Sequence, residues 1–228
     1  MASPTIRDRT PVAPPEECRG LLAKRRAILD AAIVVFVREG YTRAGVDVIA
    51  SEAGLSKQTI YNHFGDKERL FLATVEETLK PLSAEVDAIV NATLRQNADI
   101  ETDLLAFGRQ WLPTITRPDV SALYRLIIAE SPHFPALRSS WREAAADPAA
   151  HHLGYYLACH SNNGKLAIPD PARAGRQLLA LMSSEAHEHS VFGTVELDAG
   201  QLEEIVVAAV DMFLRAYSPS HASAAPQR

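Results

Sequence analysis

The stretch Gly54 to Phe71, GLSKQTIYNHFGDKERLF, holds the densest set of side chains able to make directed polar contacts. A serine at a helix start satisfies a backbone N–H with its hydroxyl, so Ser56 marks a helix whose exposed first turn carries Lys57, Gln58 and Thr59. A cation, an amide and a hydroxyl so placed can donate to phosphate oxygens and base edges in a DNA major groove, which admits one α-helix. Tyr61, Asn62, His63 and Lys67 extend this polar set along the side that would follow a phosphate backbone.

Presenting such a helix requires a tight crossing with its predecessor. Ala50 and Gly54, four apart, supply a small crossing residue and a sharp turn, since glycine tolerates positive φ. Ile49, Leu55 and Ile60 then make the small core of the pair, and the spacing predicts helices over about 46–53 and 57–64. Upstream, Ile28, Ala32, Val35 and Phe36 fall on one helical face, predicting a first helix that ends near Gly40. A fourth helix is expected from Lys67 past Val90, with Pro81 expected to kink or divide it. Further helices are predicted at about 99–112, 119–130, 135–146, 148–161, 171–190 and 198–217, with SNNGKLAIPDP (161–171) the clearest turn. No run alternates with the period of two that a half-buried strand needs, so the expected class is all-α. Spacing alone leaves two alternatives level for residues 46–64: a plain helical hairpin with a polar second helix, or a DNA reader.

RRAILDAAIVVFVREGY, IASEAGLSKQTIYNHF and GDKERLF closely resemble the first helix, helix-turn-helix and fourth-helix entry of the TetR family of transcriptional regulators. The resemblance implies a three-helix DNA-binding head followed by a helical ligand-binding and dimerisation bundle. It implies that Lys57, Gln58 and Thr59 face bases or nearby phosphates, that Tyr61, His63 and Lys67 hold the backbone, and that Phe64 packs inside. Ala44-Gly45 departs from the family's usual hydroxyl pair at the start of helix two, leaving Thr42 or Arg43 to supply the missing phosphate contact. Lys24, Arg25 and Arg26 are either a further phosphate contact or a solvated cluster offset by Glu16 and Glu17. LYRLIIAESPHFPALRSSW (123–141) resembles a segment of AcrR/AefR-like C-terminal domains.

The same resemblance implies a homodimer on a palindromic double-stranded operator, acting as a repressor and released by a small-molecule effector. An activator or a regulator controlled by a protein partner is the alternative. Two apolar stripes fit either packing within the subunit, the commoner use of such a pattern, or the dimer surface that the resemblance favours: Leu202, Ile205, Val206, Ala209, Phe213 and Ala216, and Leu178, Leu179 and Met182. Phe107, Trp111, Leu123, Tyr124, Ile127 and Met182 are the bulky candidates for an effector cavity, each equally able to be plain core. The expected division is an arm at 1–18, a head at 19–66, a body at 67–217 and a tail at 218–228.

Composition narrows the rivals. Net charge is −5, with 12 Lys+Arg against 11 Asp+Glu in residues 1–80 and 11 against 17 afterwards, so a globally basic nucleic-acid coat is excluded. Cys18 and Cys159 lie too far apart in sequence for a CxxC site, which fits a reducing cytoplasm. No apolar run suggests a membrane span or signal core, so a soluble, cytoplasmic protein is expected. GxSxG, P-loop, HExxH and glycine-rich dinucleotide motifs are missing, so neither an enzyme nor a cofactor is expected, the rival being a small-molecule protein that uses the hairpin structurally. His187 and His189 are two apart and His152 and His160 eight apart, poor spacings for metal co-ligands on a helix, so no metal is expected.

Overall fold

The computed structural model describes residues 16–95 and 99–219. The helices are α1 (Glu16–Arg43), α2 (Val46–Glu52), α3 (Lys57–Phe64), α4 (Lys67–Thr93), α5 (Ile100–Thr116), α6 (Pro118–Glu130), α7 (Ala136–Trp141), α8 (Asp147–Asn162), α9 (Pro171–His189) and α10 (Ala199–Ala216), with a π-helical turn (Arg142–Ala146) before α8. Among the described residues there is no strand. The start of α1 at Glu16 lies inside the stretch expected to be an arm; residues 1–15 and 220–228, to which the remaining arm and most of the tail were assigned, lie outside the described residues.

The head is α1 to α3 packed against the start of α4. Ile28, Ala32, Val35 and Phe36 are buried as their spacing requires, with Ile49, Ile60 and Phe71 closing the same core. Phe36 and Phe71 meet edge to face at 4.9 Å between centroids, a favoured aromatic geometry. The first helix does not stop at Gly40. Gly40 takes φ 73° and ψ 167°, breaking the ladder, and Tyr41 to Arg43 wind one more turn beyond it. The break costs the Tyr41 N–H its helical acceptor, and the buried Glu130 carboxylate at the end of α6 takes that N–H at 2.9 Å. Phe134, just after α6, packs on the same spot, 4.7 Å from Tyr41 and 5.3 Å from Phe71. Head and body are therefore joined by the α6 end as well as by α4.

Pro81 does not divide α4, which runs unbroken through it to Thr93. The proline sits on the exposed face, where water can serve the carbonyl that its missing N–H leaves without a partner. Likewise α5 continues through the exposed Pro113 to Thr116, past the expected end near 112. The helix expected over 135–146 is α7 plus the π turn, which turns Ala144 and Ala145 into the core.

In the body, α8 packs along α9, and α10 lies against α5 and α9. The α5–α10 approach is so close that a Cβ on Gly108 would sit 2.6 Å from Val206 Cγ1 and 3.1 Å from Met182 Sδ. The stripes offered for dimerisation are largely spent here. Ile205, Val206, Ala209 and Phe213, together with Leu178, Leu179 and Met182, are at most 5% exposed within the single chain. They hold α9 and α10 to the bundle and cannot also meet a second subunit. On α10 Met212 instead stands 58% exposed, where with Ala180, Leu181, Ser184 and Ala216 it lines a groove between α9 and α10.

Candidate nucleic-acid interface

Helix α2 starts at Gly45, which caps it in an extended conformation without any side-chain hydrogen bond. The turn to α3 closes through Leu55 N–H to Ala50 O at 3.0 Å, with Gly54 at φ 64°. Ser56 then caps α3: its Oγ accepts the Thr59 N–H at 3.1 Å. Ile60 and Phe64 point inward, 1% and 8% exposed, which leaves Lys57, Gln58, Tyr61 and Asn62 as an exposed stripe on the opposite face. Gln58 Nε2 donates to Asn62 Oδ1 at 2.9 Å, joining two amides into one surface.

Two members of the expected set are less openly displayed. Thr59 is half-buried, with its hydroxyl 2.8 Å from Ser56 Oγ, and His63 is half-buried near the Phe64 ring. Lys57 is exposed yet paired across the hairpin, Nζ to Asp47 Oδ2 at 3.0 Å, and that carboxylate holds its ammonium pKa above the usual value. Lys67, at the N-terminus of α4, donates to Thr42 O at 3.2 Å and lies 4.7 Å from the Tyr41 ring centroid. Arg43 Nε donates to Glu39 O at 3.1 Å. The polar edge beside α3 thus gathers Thr42, Arg43 and Lys67 from the ends of α1 and α4. The basic run on α1 is mostly engaged inside the chain: Arg25 reaches Glu77 at 3.4 Å and lies over Phe64, and Arg26 pairs with Asp30 at 2.9 Å.

Of the effector candidates, Phe107 and Trp111 stack at 5.8 Å and are buried, as are Ile127 and Met182. Leu123 lines a groove between α1, α4 and α6. Tyr124 lies in an aromatic row, 4.6 Å from Trp141 and 4.9 Å from His187, with Phe192 beyond His187 at 5.8 Å. Sequence reasoning missed Trp141, His187 and Phe192 as members of this row: Trp141 ends α7, whereas His187 and Phe192 lie five apart, at the end of α9 and in the turn that follows it. Trp111 Nε1 and His187 Nε2 are buried polar atoms with no partner in the chain. Burial lowers the pKa of His187, favouring the neutral ring. Among the described residues no group of three or more His, Cys, Asp or Glu could hold a metal ion.

The family described as bacterial regulatory proteins of the tetR family matches residues 28–74, and the AefR-like transcriptional repressor C-terminal domain matches 102–219, just over half the chain. The chain belongs to the TetR family. Members of this family are transcriptional regulators, not enzymes. The HTH-type transcriptional activator FasR of Mycolicibacterium smegmatis is 36% identical over 84 residues, 37% of this chain and 38% of that protein. The HTH-type transcriptional repressor Rv1474c of Mycobacterium tuberculosis is 30% identical over 130 residues, 57% of this chain and 63% of that protein. The chain therefore spans less than two thirds of the length of these relatives. A TetR-family transcriptional regulator from Mesorhizobium loti has the same fold, with a TM-score of 0.76 and 27% identity, covering 87% of this chain and 98% of that one. Against the TetR pattern, Ala44-Gly45 has a structural correlate: Ala44 is 1% exposed, a packing position where a hydroxyl would have to be buried. Among the described residues no helix is long and apolar enough to cross a membrane.

Proposed function

We propose that this TetR-family chain is a homodimeric cytoplasmic repressor that binds a palindromic operator and leaves it when a small molecule occupies the body. The observation that carries the reading is the outward stripe of α3, where Lys57, Gln58, Tyr61 and Asn62 stand exposed on a capped, rigidly seated helix. In this reading Lys57, Gln58 and Asn62 meet base edges, for which amides and cations are suited. Tyr61 and the surrounding Thr42, Arg43, Ser56, Thr59, His63 and Lys67 hold phosphates and fix the register.

The outer α9–α10 face, with Met212 exposed beside Ala180 and Leu181, is the surface we assign to the second subunit. A two-fold axis there would set two α3 helices about 34 Å apart, one turn of DNA, which is why a palindrome is expected. The effector would enter the body near the aromatic row and use the unpartnered Trp111 Nε1 or His187 Nε2 for orientation. Linkage then requires DNA to weaken effector binding by the same factor as the effector weakens DNA binding. The relative FasR, an activator, favours a second reading in which the same contacts recruit rather than block transcription.

The test is selection of bound fragments from genomic DNA with purified protein, followed by gel shifts on the recovered site. Tyr61→Ala is expected to weaken binding at least about tenfold, the cost of roughly one charge-assisted contact, with the sedimentation coefficient of the dimer unchanged. Equal affinity for wild type and variant would sink the assignment of α3.

A further inference from the structure

A groove of about 560 Å³ lies where head meets body, between α1, α4 and α6. It is lined neither by the outward stripe of α3 nor by the α9–α10 face. Leu29, Leu82, Val120 and Leu123 form its buried apolar floor. Val34 and Val37 of α1 stand at its edge, 54% and 38% exposed, branched apolar side chains left facing water.

The charged groups around this groove are satisfied among themselves. Arg26 pairs with Asp30 at 2.9 Å, and Arg117 pairs with Glu85 at 3.0 Å and Asp119 at 2.9 Å. Arg38 is held by Glu39 and Glu52, and Glu77 by Lys80 at 2.8 Å and Arg25 at 3.4 Å. Its lining arginines and carboxylates are equal in number, so no net potential selects an ion. An ionised occupant would have to break a pair or bury its own charge unpaired, and burial of an unpaired charge is costly. Thr78, on the wall, donates its hydroxyl to Thr74 O at 2.8 Å, which leaves its oxygen able to accept from an occupant. The size is that of a small-molecule pocket, which typically falls at about 300–1,000 Å³. A helix about 10 Å across fills roughly 420 Å³ per turn, so a partner helix would fit little more than one turn.

We propose that this groove is a binding site for an uncharged, mainly apolar small molecule bearing at most a hydroxyl or two, separate from the effector site in the body interior. Because its walls belong to both head and body, an occupant sets the angle between them, and so regulates DNA binding. That regulatory consequence rests on the function proposed above; the binding does not.

The test uses the full chain without DNA and two dyes of similar shape: neutral N-phenyl-1-naphthylamine and anionic 8-anilinonaphthalene-1-sulfonate. The neutral dye is expected to bind once per chain and at least about tenfold more tightly than the sulfonate. Val34→Trp and Ala122→Phe fill the groove from opposite walls, and each is expected to weaken the neutral dye by at least about tenfold with the melting curve retained. Two fillers are used so that a folding defect in one leaves the other decisive. The site is overturned if the neutral dye does not bind, if the sulfonate binds equally well, or if a folded filler variant binds the dye as wild type does. Adding operator then separates the two layers. An operator affinity shifted by the dye in wild type but not in Val34→Trp supports regulation from the groove, and an unshifted affinity overturns it. A chain that binds the dye but no DNA refutes the proposed function while the groove stands.

Discussion

Glu130 offers the sharpest test of how head and body are joined. Its side chain is 11% exposed and accepts the Tyr41 N–H at 2.9 Å, the donor released by the Gly40 break. Glu130→Ala removes a charge-assisted hydrogen bond and strands a half-buried backbone donor, together worth about 1.5–3 kcal/mol. Glu130→Gln keeps an oxygen acceptor in place and should cost about 1 kcal/mol or less. For a chain of this size each kcal/mol moves the melting temperature by about 2–4 °C, so a 2 kcal/mol loss appears as about 4–8 °C. The assay is thermal unfolding at one fixed protein concentration, because dimerisation would otherwise shift the midpoint. Hydrogen exchange at the Tyr41 amide is the local readout and should accelerate in the alanine variant. An alanine variant that melts with wild type and keeps the Tyr41 amide protected would refute the reasoning. So would a glutamine variant as damaged as alanine, since that would assign the effect to charge and not to the accepted hydrogen bond.

Gly108→Ala puts a Cβ 2.6 Å from Val206 Cγ1 and is expected to cost about 1–3 kcal/mol by overpacking; chemical denaturation checks it, and Val206→Ala in the same chain should recover part of the loss. Asp47→Asn releases Lys57 from its 3.0 Å pair and should tighten DNA binding about two- to fivefold at low salt. Operator should gain more than competitor DNA, because Lys57 is assigned to base edges, which carry the sequence information; a loss of affinity would show that Asp47 positions Lys57 productively. Burial lowers the pKa of both His160 and His187. The unfolded chain therefore binds more protons as pH falls through about 6.5, so stability is full above that value and declines below it. Melting midpoints between pH 8 and pH 5, flatter in His160→Phe than in wild type, are the expected result, in a window of about three pH units that lies mostly above carboxylate titration.

Local chemistry was the most legible part of the chain. Ser56 announces a cap and Ser56 makes one; the α3 bounds coincide with the expected span. Gly40 shows where such reading falters, because a glycine suited to ending a helix here only breaks it, and the reason lies in Glu130, 90 positions away. Pro81 is expected to interrupt α4, yet it and Pro113 of α5 both sit on exposed faces where a missing hydrogen bond is cheap. Facing direction was harder still. The apolar stripe Ile205 to Phe213 is equally apolar whether it meets α5 or another subunit, and only the packed bundle assigns it inward. For the effector, Phe107 and Tyr124 were visible as bulky side chains, but the row from Trp141 to Phe192 exists only once α6, α7 and α9 are brought together.

The continuity of α4 has a mechanical corollary. Its 27 residues extend about 40 Å at 1.5 Å per residue, a stiff rod with Lys67 at one end and the bundle around the other. Pivoting that rod by only about 5° at its bundle end would sweep its tip through roughly 3.5 Å over that length. Neighbouring nucleotides on one strand are separated by about 3.4 Å along the duplex axis. A reorientation of only a few degrees would therefore displace the reading head by a full base step.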